Sequence, residues 1–354
     1  MEHSFSPAFP RALLTRGATG LAAIGASPAS AANPDNALTF GLLWLEYLRK
    51  RERTVSVEGL VLYLPQGFEQ TTCLRLLHLD GRLARWQVFV CGDTFEEMID
   101  LKDHGNLQTE LPVRRDLHAT PVWMKQIEEL PFVECSYQPA MVTWRVRGLP
   151  FAEFDGSVTR FGLETKRTAS ASNVSEIEAL AHELSRLRSP ESPDRQGLLY
   201  SRSPELWLES QIRRNLSELD ARLAPPVYGQ VPAIVAGERG VLDLVAADLS
   251  GRLTVIEVKG SEDLHLPLQA LDYWMRVKWH LDRDEFTRNG YFPGTILAKL
   301  APRLLLVAPS LHFHPSNETV LHYFDPKIQV ERIGVSMEWR SALKVVFRKE
   351  RESL

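Results

Sequence analysis

Three charged side chains, those of Asp243, Glu257 and Lys259, lie in two otherwise largely apolar segments, residues 241–246 and 253–259. Two carboxylates that face each other on a sheet repel, and a divalent cation between them relieves the repulsion. Hard oxygen ligands with retained waters suit Mg²⁺, with Mn²⁺ as the alternative. The set therefore predicts metal-dependent cleavage of phosphodiesters, with Lys259 balancing charge and orienting the attacking water. The alternative is a strand end at which all three charges are simply hydrated.

A β-hairpin is predicted to position these three residues. Residues 241–246 and 253–259 are rich in β-branched and apolar side chains, and the segment between them has the composition of a turn. Because side chains alternate between the two faces of a strand, the three charged residues are predicted to share one face. A turn centred on Ser250 would place Asp243 directly opposite Glu257.

Helices are predicted on both sides of the hairpin. The downstream helix carries Gln269 and Tyr273, whose spacing of four residues places them on one helical face. The upstream helix begins at Pro204 and carries Glu205 and Glu209, also four residues apart. Either glutamate could reach the metal. Glutamates near a helix N-terminus are also favoured by the helix dipole, so the identity of the ligand stays open.

This order of elements and motifs resembles the PD-(D/E)XK nuclease superfamily, whose core is α-β-β-β-α-β. Within that superfamily, it is most similar to RecB-type nucleases and to the mismatch-specific endonucleases of archaea and actinobacteria. The resembling motifs are Glu205-xx-Leu208-Glu209, Leu242-Asp243-Leu244, Ile256-Glu257-Val258-Lys259 and Gln269-xxx-Tyr273. The resemblance covers roughly residues 200–310, and Leu242 stands where the family name has proline.

The resemblance implies a restriction-endonuclease-like fold and hydrolysis of DNA phosphodiesters in repair, recombination or defence. The implied catalytic residues are Asp243, Glu257, Lys259, Gln269 and Tyr273. The implied ligands of Mg²⁺ are Asp243 and Glu257, together with Glu209 or Glu205. A homodimer is possible, because two strands would need cutting. The alternative function is a catalytically silent module that uses the same fold to bind nucleic acid or protein.

Composition places broad limits on the protein. Its 354 residues, 44% of them hydrophobic and 24% charged, predict an ordinary globular protein of two domains. A net charge of −4 argues against a broadly basic nucleic-acid-binding surface, but local contacts at an acidic metal site remain compatible with it. The odd number of cysteines argues against a disulfide framework. With no apolar run of membrane-spanning length, we expect a cytoplasmic protein and no membrane partner.

The overall fold is predicted as α/β (α+β), with a nuclease-like domain preceded by a separate mixed α/β domain. The predicted divisions are a disordered leader over 1–36, an N-terminal domain over 37–165, a helix and linker over 166–198, and the nuclease-like domain over 199–354. In the N-terminal domain, a helix is predicted from Ala37 to about Lys50, and Cys73–Leu79 is predicted as a strand.

A short repeat links the two halves of the chain. The tetrapeptide Leu43–Glu46 recurs as Leu206–Glu209, each time in a helix that precedes strands. The N-terminal domain could therefore be a degenerate copy of the nuclease-like fold, or the match could be chance. No Asp…Glu-x-Lys set follows the first tetrapeptide, so no catalysis is predicted there.

Overall fold

A computed structural model describes residues 8–27, 31–102, 107, 109–114, 120–138, 141–235 and 238–351, with the backbone alone for 230–235 and 238–243. The described part of the chain is mixed α/β, with three sheets and ten α-helices. None of these helices is both long enough and apolar enough to cross a membrane.

The first sheet has the strand order β1-β2-β3-β4-β5, in which β2, β3 and β4 are parallel and the two outer strands antiparallel. Its elements are β1 (Arg11–Arg16), β2 (Thr19–Gly25), α1 (Ala37–Arg51), β3 (Ser56–Pro65), α2 (Glu69–Leu76), β4 (Arg85–Cys91) and β5 (Glu96–Ile99). The predicted helix over 37–50 is confirmed by α1, whose Leu38, Leu42 and Leu45 are fully buried.

Two predictions for this region are wrong. The leader over 1–36 contains β1 and β2, because the small apolar side chains of Ala22 and Ile24 are buried beside β3. The predicted strand Cys73–Leu79 is mostly helix α2 and the turn after it. There Cys73 and Leu76 are buried three residues apart, which is a helical spacing.

The second sheet is an antiparallel meander in the order β10-β9-β8-β7-β6. Its elements are α3 (Lys125–Glu128), β6 (Val133–Gln138), β7 (Met141–Val146), β8 (Leu149–Phe154), β9 (Thr159–Phe161), β10 (Arg167–Thr168) and α4 (Val174–Leu187). Helix α4 packs on β7 and β8 through Ile177, Ala181 and Leu184. The predicted single domain over 37–165 therefore comprises two sheets, and the helix assigned to the linker belongs to the second.

The third sheet has the order β11-β12-β13-β14-β15-β16, with β13, β14 and β15 parallel. Its strands are β11 (Leu223–Val235), β12 (Glu238–Asp248), β13 (Leu253–Val258), β14 (Arg303–Pro309), β15 (Val330–Val335) and β16 (Val345–Glu350). The helices of this region are α5 (Leu198–Ser201), α6 (Pro204–Arg214), α7 (Leu216–Leu219), α8 (Leu266–Asp282), α9 (Glu285–Arg288) and α10 (Asn317–His322). Along the chain, α6 and α7 precede β11, β12 and β13, and α8 and α9 lie between β13 and β14.

Two apolar cores fix which helix covers which face of the third sheet. One face, with Val245 and Val255, shares a core with α8, α10 and the inner side of the first sheet. The other face, with Leu244 and Ile256, packs against Trp207 of α6. The predicted separation of an N-terminal domain from the nuclease-like domain is therefore wrong for the first sheet, because α1, α2, α8 and α10 bury apolar side chains in one common core.

The repeated tetrapeptides do not occupy equivalent places. Leu43–Glu46 lies on α1, which connects two parallel strands of the first sheet. Leu206–Glu209 lies on α6, which precedes the third sheet and covers its opposite face. The four-residue match therefore does not mark a structural repeat.

Candidate active site

The register of the β12–β13 hairpin is the one that the sequence predicts. Leu244 pairs with Ile256 and Ala246 with Thr254, which confirms a turn centred on Ser250. The paired residues end at Leu244 and Ile256, and continuing the same register by one residue would place Asp243 opposite Glu257. The side chain of Asp243 lies outside the part of the chain that the structure describes.

Glu257 and Lys259 meet at the carboxyl end of β13. Glu257 is 2% exposed, and its Oε1 lies 3.8 Å from the Nζ of Lys259. Alternation along β13 places Glu257 on the face of Val255, which is the face that α8 covers. A buried carboxylate therefore lies beside a lysine at this strand end.

Asp263 is a second carboxylate beside Lys259, and it was not predicted from the sequence. Its Oδ2 lies 3.4 Å from the Nζ of Lys259, while its Oδ1 accepts a hydrogen bond from the backbone N of His265 at 2.7 Å. The carbonyl of Asp263 also accepts a hydrogen bond from the Nδ2 of Asn317 at 3.1 Å. Lys259 therefore stands between two carboxylates, one on the strand and one in the loop that follows. The sequence feature that could have indicated Asp263 is its position just after a strand of a parallel sheet, where ligand-binding sites are concentrated.

The loops after β13 and β14 meet at this edge of the sheet. The backbone N of Lys259 donates to the carbonyl of Val307 at 2.9 Å, and the Nδ1 of His312 lies 2.9 Å from the carbonyl oxygen of Gly260. Gly260 also packs tightly on the start of α6, since a Cβ there would lie 2.9 Å from a ring carbon of Pro204. These contacts bring the two loops and one helix end together around Lys259.

The two glutamates of α6 have different surroundings. Glu209 is buried and accepts hydrogen bonds from the Nε and Nη2 of Arg213 at 3.0 and 2.8 Å. Glu205 is half-buried in the first turn, and its backbone N would lie 3.1 Å from a Cβ at Gly260. Because Glu209 is paired one turn farther along the helix, Glu205 is the better placed of the two for a ligand at the strand end.

Four polar residues form a stripe along one face of α8. They are Gln269, Tyr273, Arg276 and His280, spaced by four, three and four residues, and we call them the α8 stripe. Gln269 and Tyr273 are half-buried, whereas Arg276 is 3% exposed and His280 is 5% exposed. Because α8 starts at the carboxyl end of β13, the stripe begins near the level of Glu257 and runs away from it. Arg276 was not predicted as part of this face.

Arg276 carries a charge for which the described residues supply no hydrogen bond. Its Nε and Nη1 are buried, and its guanidinium carbon lies 6.0 Å from the ring centroid of Tyr273. Burial lowers the pKa of Arg276, although Asp272 and Tyr273 act in the opposite direction. Asp272 is itself occupied by a bidentate contact with Arg75.

We expect Arg276→Met to leave the free energy of unfolding unchanged or to raise it by about 1–3 kcal/mol, because an incompletely paired buried charge is replaced by an apolar side chain. Urea denaturation of both proteins measures the difference. Lys278→Met is the matched control, since it removes the same charge from the opposite side of α8. A loss of stability in the Arg276 variant that exceeds the loss in the control would contradict the prediction.

His280 is expected to make stability depend on pH. Its Nε2 lies 2.8 Å from the Oγ1 of Thr109, and its Nδ1 contacts Glu285. Burial lowers the pKa of His280 below its ordinary value of 6.5, although the contact with Glu285 opposes the shift. Stability is then fully present above pH 6.5 and falls as the pH drops from there through the folded-state pKa.

Urea denaturation between pH 5 and 8 tests this expectation in the wild type and in His280→Gln. The variant should lose part of the decline in stability toward acid. His182→Gln, at a histidine whose side chain is 56% exposed, should keep the full decline. An identical pH dependence in wild type and His280→Gln would refute the assignment.

The donor set at the strand end suits a hard divalent cation. No group of three His, Cys, Asp or Glu side chains within the described ranges is arranged to hold a metal ion. Glu257 supplies one buried carboxylate, and the register brings the backbone of Asp243 to the position opposite it. Carboxylate oxygens completed by waters are the ligands that Mg²⁺ takes in proteins.

Comparison with known proteins adds no relative. No protein-family model matches the chain, and no curated protein matches it.

Proposed function

We propose that the chain is a Mg²⁺-dependent nuclease that hydrolyses phosphodiester bonds of DNA, with its active site at the carboxyl end of β13. The observation that carries the proposal is Lys259, which stands between the buried carboxylate of Glu257 and the carboxylate of Asp263. The hairpin register adds support, because continuing it by one residue beyond the pair of Leu244 and Ile256 would place Asp243 opposite Glu257.

In this proposal, Asp243 and Glu257 hold the metal, and Glu205, whose backbone N lies beside Gly260, is the further candidate ligand. The bound metal would supply a water of lowered pKa and would stabilise charge on the phosphate. Lys259 positions the attacking water and stabilises negative charge as it develops on the phosphoryl oxygens. Asp263, whose Oδ2 lies 3.4 Å from the Nζ of Lys259, holds the ammonium group in place.

The half-buried part of the α8 stripe, Gln269 and Tyr273, supplies the face of α8 for the nucleic acid in this proposal. These two residues contact the phosphate backbone or brace the site. Arg276 and His280, which are 3% and 5% exposed, lie inside the protein and are not part of that face.

A cleavage assay tests the function directly. The purified protein is incubated with labelled single-stranded, duplex, mismatched and branched DNAs in Mg²⁺, Mn²⁺ or EDTA. We expect cleavage that needs the metal, is lost in Lys259→Ala, and persists in Lys278→Ala, a lysine on α8 that pairs with Asp282. Binding of DNA without cleavage under any of these conditions would overturn the enzymatic proposal in favour of a silent binding module.

A further inference from the structure

Two parts of the chain share one topology. The N-terminal unit comprises β1–β5 with α1 and α2, and the C-terminal unit comprises β12–β16 with α8 and α10. In each unit an antiparallel pair of strands leads into two parallel crossovers through helices, and the sheet ends with an antiparallel strand. Chain order equals spatial order in both units.

The second parallel crossover has the same length in the two units, whereas the first is longer in the C-terminal unit, where Thr254 pairs with Arg303, than in the N-terminal unit, where Leu21 pairs with Gly59. Gly59 of β3 pairs with Arg85 of β4, and Leu304 of β14 pairs with Val330 of β15. The paired residues are 26 positions apart in both cases. The second crossover therefore has the same length in the two units.

The units contact each other reciprocally. Helix α1 packs against α10 and α2 packs against α8, so that the first helix of each unit meets the second helix of the other. Between the helices, the backbone N of Asp80 donates to the carbonyl of Tyr323, and the backbone N of Asp325 donates to the carbonyl of His78, both at 2.8 Å. Reciprocal contacts of this kind are the mark of a two-fold interface.

The residues at the centre of this interface also match. Leu79 and Phe324 form an antiparallel bridge, and each precedes an aspartate. Asp80 accepts a hydrogen bond at its Oδ1 from the backbone N two residues on, at 2.9 Å, and Asp325 does the same at 2.8 Å. The local pseudo-two-fold axis thus passes between Leu79 and Phe324.

Only the C-terminal unit carries the candidate active site. The strands of the N-terminal unit that correspond to β12 and β13 are β1 and β2, and neither contains an acidic residue or a lysine. At the same time, the N-terminal unit buries the helical face through which the C-terminal unit could pair with a second copy.

We infer that the chain is an internal duplication that works as a monomer with one active site and therefore nicks one strand of duplex DNA per binding event. The nicking rests on the proposed function, whereas the internal pairing rests on the reciprocal contacts alone. A homodimer that uses this helical face would have to displace the N-terminal unit and its shared apolar core.

Two measurements on the 354-residue protein test the inference. Sedimentation equilibrium should give a mass near 40.1 kDa, and a dimer mass would overturn the monomer. On supercoiled plasmid in Mg²⁺, open circles should accumulate first, and linear DNA should appear only later, from independent second nicks. Linear DNA formed directly from supercoiled plasmid would overturn the single-strand assignment.

Mixing experiments separate the remaining outcomes. When wild type is diluted with Glu257→Gln at constant total protein, nicking should fall in proportion to the wild-type fraction. A fall with the square of that fraction would indicate two cooperating copies and overturn the inference. A monomer mass without cleavage of any DNA would support the internal pairing and overturn both the nicking and the proposed nuclease.

Discussion

Glu257→Gln is expected to lower metal-dependent cleavage of DNA by about 10³-fold. The amide keeps the volume of the carboxylate, which matters at a position that is 2% exposed. It removes the negative charge that attracts the cation, and it removes the charge that faces Lys259 at 3.8 Å. Asp263 still holds Lys259 from the other side, so we expect the loop after β13 to keep its conformation.

Single-turnover cleavage of the best DNA substrate measures this effect. Thermal unfolding with and without Mg²⁺ gives a second readout, because a ligand that binds only the folded protein stabilises it by mass action. Wild type should gain stability from Mg²⁺, and the variant should lose that gain. The matched control is Glu262→Gln, a carboxylate in the adjacent loop whose side chain is 53% exposed. Equal cleavage by wild type and Glu257→Gln would remove Glu257 from the mechanism.

The elements that could be predicted from the sequence are those whose determinants are local. The β12–β13 hairpin is closed by a turn in which the Oδ1 of Asp248 accepts hydrogen bonds from its own turn, and those few residues fix the register. Helix α1 follows from apolar residues at helical spacing, all of which are buried. Gln269 and Tyr273 share a helical face for the same local reason.

The elements that could not be predicted depend on distant partners. Strand β2 is rich in alanine and glycine, and it becomes a strand because β3, about forty residues away, supplies its neighbour. The pattern around Cys73 fits a strand and a helix equally well in isolation. This segment forms a helix because the core that the two units share buries its apolar side chains.

The same reason explains which site residues were missed. Asp263 is one of 45 acidic residues in the chain, and nothing local shows that its carboxylate reaches Lys259. Arg276 would ordinarily be assigned to an exposed helical face. It is buried because α2 and the first sheet pack onto α8. That packing cannot be predicted from the sequence pattern of α8 alone.

The ion pair between Arg75 and Asp272 is expected to be the most sensitive polar contact between the two units. The Nε and Nη2 of Arg75 donate to the two carboxylate oxygens of Asp272 at 2.9 and 2.7 Å, and Nη1 donates to the carbonyl of Asp35 at 2.7 Å. Arg75→Met should lower the free energy of unfolding by about 3–5 kcal/mol, because it leaves Asp272 charged and buried at the interface.

A double-mutant cycle separates the loss of attraction from the cost of the charge left behind. Arg75→Met combined with Asp272→Leu should recover most of the stability that Arg75→Met loses, since the buried carboxylate that lost its partner is then removed. Arg82→Met is the control, because Arg82 is 78% exposed and its pairing with Asp80 should contribute little. Urea denaturation measures five proteins, which are the wild type, Arg75→Met, Asp272→Leu, the double variant and the Arg82→Met control. If the double variant is as unstable as Arg75→Met alone, the unpaired carboxylate is not the cause, and the pair contributes to the interface through direct attraction and packing.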